Sequence, residues 1–170
     1  RGGMLYDRWY QVIDAPKPES THPSWPKSNS KTGASTHRCK SCHGWDYKGN
    51  NGDYSTGKYM TGIKGIESYI GKEKKEIISI LTNELHSFGD KMSSDDLNDL
   101  ALFVSKGQVD FTKLIDPETN LVRIGNVKKG KEYFETVCAK CHGKDGKLIE
   151  DMAPLGKLGH KNPWEILHKI

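Results

Sequence analysis

The chain has 170 residues, 34% of them hydrophobic and 28% charged, with 18 glycines and a formal net charge of +4. That length allows one ordinary domain or two small ones, and small domains bury too little apolar surface to be comfortable without a staple or a cofactor. Basic and acidic residues are interspersed rather than sorted into a patch that would track phosphates, which argues against nucleic acid, and no window approaches the ~18–20 consecutive apolar residues of a membrane span.

The first residues, Arg1-Gly2-Gly3, carry neither the basic flank nor the apolar run of a signal peptide, so the sequence reads as a mature or trimmed product. "MLYDRWYQVI" then places Leu5, Trp9, Val12 and Ile13 on one face of a predicted helix. From Asp14 to His37 the composition turns to proline, serine and lysine, and this stretch reads as an extended loop with no core of its own, an insertion ahead of the next motif.

That motif is "RCKSCHGWDYKG", residues 38–49, and its cysteine-histidine trio returns 99 residues later in "VCAKCHGKDGK". All four cysteines, Cys39, Cys42, Cys138 and Cys141, belong to the two trios. A thioredoxin-like pair would sit near a βαβ pattern, and the glycine- and lysine-rich flanks offer no apolar strand. A four-cysteine zinc site spaces its pairs by ~15–20 residues and does not require the trailing histidines. The remaining reading uses every residue: two thiols add to the vinyl groups of a haem and the adjacent histidine ligates the iron. Each trio is also followed by a glycine and then an aspartate, Gly44 and Asp46 in the first copy, Gly143 and Asp145 in the second, which marks an internal repeat.

On these residues the chain resembles the dihaem c-type cytochromes. The resemblance implies a mainly α fold of two consecutive cytochrome c-like domains, residues 1–107 with the insertion 14–37 and residues 126–170, joined by a connector 108–125. It implies two covalently attached haem c groups, held through thioethers at Cys39, Cys42, Cys138 and Cys141. His43 and His142 would be the proximal iron ligands. It also implies a location outside the cytoplasm, periplasmic or equivalent, where such attachment is carried out.

After the first trio, a glycine-studded stretch to Gly65 interleaves Trp45, Tyr47, Tyr54 and Tyr59, rings suited to covering a flat cofactor. Two helices are predicted next: "KEKKEIISILTNEL" aligns Ile77, Leu81 and Leu85, and "SSDDLNDLALFVSKG" aligns Leu97, Leu100, Ala101 and Val104 before Gly107. Between them, "ELHSFGDKMSSDDL" offers two candidates for the distal side of the first iron, His86 and Met92. Met92 has a competing task, because Ser93 reads as a helix N-cap with Asp96 three residues on, which makes Met92 the N′ residue that packs on Leu97. His86 is the favoured distal ligand and Met92 the alternative. His22, His37 and Met60 lie in loops and rank lower.

In the second unit, "NVKKGKEYFETVCAKCHG" spaces Val127, Gly130, Tyr133, Phe134 and Val137 as a helix capped by Asn126 that runs straight into the trio. Gly130 and Phe134 match the Gly-x-x-x-Phe helix that precedes the attachment site in the family resembled. "KNPWEILHKI" starts a further helix, with Asn162 as cap and Pro163 at its first position. The resemblance implies a methionine-bearing loop and a closing helix after it, and the expectation is that these lie past Ile170 or that a partner completes the fold. Within the sequence the candidates for the second distal position are Met152, His160 in a loop, and His168 on the last helix.

The function expected is single-electron transfer between unidentified redox protein partners. A dihaem enzyme with an open or displaceable distal position on the second haem, or a haem-bearing subunit of a larger complex or filament, are the alternatives. Iron would carry the redox change, and the protein would supply burial, axial ligands and orientation.

Overall fold

A computed structural model describes all 170 residues. The chain is mainly helical with no strand, its only β pairing being two isolated bridges, Gly49 with Lys64 and Ile115 with Val122. It divides into two compact units, Arg1–Gln108 and Val109–Ile170. No helix is long and apolar enough to cross a membrane.

The first unit is built on four helices: α1 (Gly2–Val12), α2 (Cys39–His43), α3 (Lys74–Leu81) and α4 (Ser94–Leu102). Helix α1 packs across α4 and α3 packs on α4. The buried stripe of α1 is Leu5, Tyr6, Trp9 and Tyr10 rather than the one expected to run on through Val12 and Ile13, which are only half-buried. The backbone leaves helical geometry at Arg8 (φ −153°, ψ 71°), which breaks the periodicity that the expectation assumed.

Helix α3 stops four residues short of its expected end. Thr82 Oγ1 donates to the Ile78 carbonyl at 2.9 Å, and Asn83 Oδ1 accepts from the backbone N–H groups of Leu85 (3.0 Å) and His86 (3.1 Å). Short polar side chains of this kind offer the backbone an alternative to the helix. The turn leaves Leu85 exposed and brings Phe88 back against the core. Helix α4 starts on the expected cap: the Ser93 hydroxyl accepts from Asp96 N, the Asp96 carboxylate accepts from Ser93 N, and Met92 and Leu97 are both buried. Its inner face carries Leu97, Leu100 and Ala101, and a wider π-type turn over Phe103–Gly107 extends it with Val104 inward.

In the second unit, α5 (Val127–Tyr133) and α6 (Ala139–His142) are joined through a π-type turn, Phe134–Cys138, so a continuous helical run carries the chain into the second trio. Asn126 Oδ1 caps it by accepting from Lys129 N at 2.9 Å. Two further helices follow, α7 (Leu155–Lys161) and α8 (Pro163–Lys169), the second with Asn162 Oδ1 accepting from Glu165 N at 3.2 Å and proline in its first turn. The segment leading into α5 is a tight turn on Asp116, whose side chain accepts from Glu118 N, with Phe111 and Ile115 buried. The apolar positions of the α5–α6 run remain uncovered: Val127, Tyr133 and Val137 are 90%, 70% and 70% exposed.

Candidate functional site

Helix α2 is the first trio itself, and α1 fixes it at both ends. Trp9 Nε1 donates to the His37 carbonyl at 2.9 Å, two residues before Cys39. Tyr6 Oη donates to the Gly44 carbonyl at 2.6 Å, one residue after His43. Arg38 donates through Nε to the Asp7 carbonyl at 2.8 Å and pairs with the Asp7 carboxylate. A buried aromatic stripe on one helix thus holds the motif across its full length.

Cys39, Cys42 and His43 open onto a cavity of about 500 Å³, within the size range of small-molecule and cofactor sites. Its walls are mostly apolar, among them Ile66, Ile77, Leu81, Phe88, Leu100 and Val104, and His86 also lines it. Met92 is not among the lining residues; it is buried beside the α4 cap, in the place that its N′ role requires.

The two histidines face one another. The rings of His43 and His86 have centroids 6.2 Å apart and planes inclined by 20°. Two imidazoles bound through metal–nitrogen bonds of about 2 Å to opposite sides of one ion have centroids about 6 Å apart, so the spacing of the pair matches that of two ligands on one ion. His43 Nδ1 lies 2.7 Å from the Lys64 carbonyl and therefore donates to it, which leaves Nε2 with a free lone pair. Asn83 Oδ1 sits 3.4 Å from His86 Nδ1 and acts in the same sense. Burial pushes the His43 pKa down to about 4, against the pull of the Lys64 carbonyl, with His86 adding to the depression; burial likewise lowers His86. Both shifts favour the neutral ring, the form that can ligate iron.

The Lys64 carbonyl reaches His43 because the glycine-rich stretch folds back on itself. A Cβ at Gly65 would meet the Tyr47 carbonyl at 2.1 Å, and one at Gly49 would meet the Ile63 carbonyl at 2.4 Å. Only glycine permits that approach. The fold-back also corrects an expectation. Trp45, Tyr47, Tyr54 and Tyr59 do not line the cavity; Tyr47 packs edge-on to Tyr6 and Phe103, and Tyr54 stacks on Tyr59 at 4.9 Å. The returning segment, Ile63 to Tyr69, takes the place against the cavity expected for them.

The thiols add a chemical constraint. Burial, with Cys42 contributing at Cys39, pushes both Cys39 and Cys42 up to about 12. Redox-active thiols are tuned the other way, toward the thiolate. No cluster of three or more His, Cys, Asp or Glu side chains converges on a point suited to a bare metal ion. The donor set and apolar walls fit a haem, which Cys39 and Cys42 would attach and whose iron His43 and His86 would ligate.

The second trio repeats the local geometry. Gly44 (φ 84°, ψ 159°) and Gly143 (φ 76°, ψ 162°) close the two short helices alike. The His43 carbonyl accepts from Gly49 N at 2.9 Å, and the His142 carbonyl from Leu148 N, six residues on in each case, at 2.9 Å. The surroundings differ: Cys141 is exposed, and His142 Nδ1 is buried without a hydrogen-bond partner. Of the residues considered for its distal side, Met152 lies in the turn ahead of α7 and His168 is half-buried on α8. His160 is exposed on α7, not in a loop as expected, because the run from Leu155 to Lys161 takes up helix immediately after Pro154.

The residues the sequence undervalued are His22 and His37. Both line the cavity, and their place in a proline- and serine-rich stretch gave no periodicity by which to find them.

Residues 127–170, about a quarter of the chain, match the Cytochrome c family model. No curated protein and no solved structure matches the chain. The family match supports a c-type cytochrome with covalently bound haem and a role in electron transfer, and it falls on the second trio.

Proposed function

We propose that the chain is a dihaem cytochrome c that passes single electrons between redox partners outside the cytoplasm. The observation that carries this reading is the pairing of a repeated Cys-x-x-Cys-His motif, closed by the same glycine turn, with a cavity in which the His43 and His86 rings lie 6.2 Å apart. Cys39 and Cys42 are the attachment residues of the first haem, His43 its proximal ligand and His86 its distal ligand. Cys138, Cys141 and His142 serve the second haem.

A haem bound in each unit supplies the one-electron ferric–ferrous couple. The chain's own residues do the rest. The Lys64 carbonyl fixes the His43 tautomer and makes the ring a better donor, while the apolar walls exclude water from the iron's surroundings. A second histidine rather than a methionine on the distal side places the first haem at the lower end of the cytochrome c potential range. A haem count in alkaline pyridine against protein mass tests the stoichiometry: two haems per chain agree with the proposal, and one haem removes its dihaem part.

The second unit favours a further reading, a haem-bearing subunit of a larger electron-transfer complex. Ile124, Val127, Tyr133 and Val137 form apolar surface with little cover. Sizing with mass detection distinguishes the two, since a chain that remains monomeric at micromolar concentration behaves as a free carrier.

A further inference from the structure

The insertion 14–37 is a loop, as expected, apart from a single turn over Gly33–His37, but it does contribute buried residues. Trp25, Thr36 and His37 are all buried. The segment closes on itself: Thr36 Oγ1 accepts from His22 N at 2.9 Å and donates to the Gly33 carbonyl at 2.7 Å, Gly33 N donates to Thr21 Oγ1 at 3.2 Å, and His37 Nε2 donates to the Ser20 carbonyl at 2.9 Å. One end of this closed loop is continuous with Arg38 and Cys39.

Its tip meets the segment that carries His86. Ser24 Oγ donates to the Leu85 carbonyl at 2.6 Å. Ser24 N donates to His22 Nδ1 at 3.1 Å, which makes Nδ1 the acceptor and leaves the proton of the neutral ring on Nε2; that Nε2 points to the His86 carbonyl at 3.4 Å. The His22 ring also packs between His37 (centroids 4.9 Å) and Phe88 (6.5 Å). The polypeptide is thereby tied across the cavity, covalently on the Cys39 side and by hydrogen bonds on the His86 side.

We infer that the insertion is a clamp on the distal ligand, with His22 and Ser24 as positioning residues. They hold the carbonyls of Leu85 and His86, and so keep the His86 ring seated and resistant to replacement by a small exogenous ligand. Asn83 fixes the same turn from within, through its bonds to Leu85 N and His86 N. A turn held only from within would let His86 swing out as a unit with residues 83–88; the clamp ties it to the opposite wall. The inference rests on His86 being the distal ligand of the first haem.

The test is cyanide binding to the oxidised, full-length dihaem chain, followed in the Soret band, for the parent and for Ser24→Ala, Ser24→Thr, His22→Phe, the Ser24→Ala/His22→Phe double variant and His86→Ala. Phenylalanine keeps the ring between His37 and Phe88 but has no nitrogen to bond, and Ser24→Ala removes one hydroxyl at the surface, so folding is preserved. Any cyanide taken up by the second haem is common to all variants and subtracts. The double variant should bind cyanide at the first haem about tenfold faster, as expected for the loss of two hydrogen bonds that hold the closed state. Ser24→Thr should behave as the parent. Unchanged cyanide binding in the double variant, together with a high-spin iron in His86→Ala, overturns the clamp and leaves the ligand assignment standing. If His86→Ala keeps every iron low-spin, the assignment fails and the clamp falls with it.

Discussion

The two Cys-x-x-Cys-His motifs close on the same glycine turn and have different surroundings. The first sits under a buried aromatic helix, opens onto an apolar cavity and has its histidine nitrogen bonded to Lys64; the second has exposed apolar neighbours and a histidine Nδ1 without a partner. The contrast separates two sources of structure. The turn is specified locally, by a short helix, a glycine and a carbonyl that accepts six residues on, and so it forms in both places. The cavity is specified by residues distant in sequence, from Tyr6 to Val104, and it forms where those residues are present to pack. It is also instructive that the family match falls on the second turn, where helix and trio are adjacent, and not on the first, where the insertion parts α1 from Cys39.

The largest effect on this contrast should come from removing attachment. Cys39→Ala/Cys42→Ala and Cys138→Ala/Cys141→Ala should each lower the haem count from two to one, but the first should also loosen the helical core around it, lowering the cooperative thermal transition by more than the second does. Equal thermal losses would mean that the two units depend on their cofactors alike. Next in size are core truncations. Leu100→Ala, a residue 1% exposed against the cavity, should cost about 2–5 kcal/mol in urea unfolding. Val137→Ala in the second unit, 70% exposed, should stay within about 0.5 kcal/mol. A comparable loss at Val137 would show that this face is covered in solution.

Smaller still are the helix caps. Ser93→Ala removes the hydroxyl half of a capping box, the bond from Asp96 N, and should cost about 1 kcal/mol, whereas Asn126→Ala, at a more exposed helix end, should cost less. The smallest predicted effect is the share of the acid pH dependence that Asp96 carries in the first unit. The Ser93 hydroxyl, followed by Arg1, holds the Asp96 carboxyl below the usual carboxylate value against an opposing contribution from burial. A carboxyl whose folded value is depressed contributes stability that is complete above its unfolded value, about 3.9, and is lost as the pH falls through the lower folded value. The urea midpoint should therefore drop below about pH 4, and Asp96→Asn should flatten that slope; an unchanged slope would remove Asp96 from the account.

What could be read from the sequence was local. The two trios, the caps at Ser93, Asn126 and Asn162, and the alignment of Leu97 with Leu100 and Ala101 rest on interactions spanning four residues or fewer, and the structure has the caps and the buried stripe. The packing of Met92 away from the cavity was partly legible, because a capping box gives the residue before it a packing role. What could not be read depends on contacts between distant segments: the fold-back that sends Lys64 to His43 in place of the aromatic residues 45–59, and the tie from His22 and Ser24 to the 85–86 turn. Proline- and serine-rich composition describes a segment without periodicity, and its order here comes from hydroxyl and imidazole bonds that leave no repeating pattern.

The most direct test of the account is the far-red optical spectrum of the oxidised chain, taken alongside His86→Ala and Met92→Leu. The account predicts a low-spin first haem without the weak band of methionine sulfur bound to ferric iron, a change to high spin on His86→Ala and none on Met92→Leu. A methionine band that disappears in Met92→Leu, with His86→Ala spectrally silent, would contradict it.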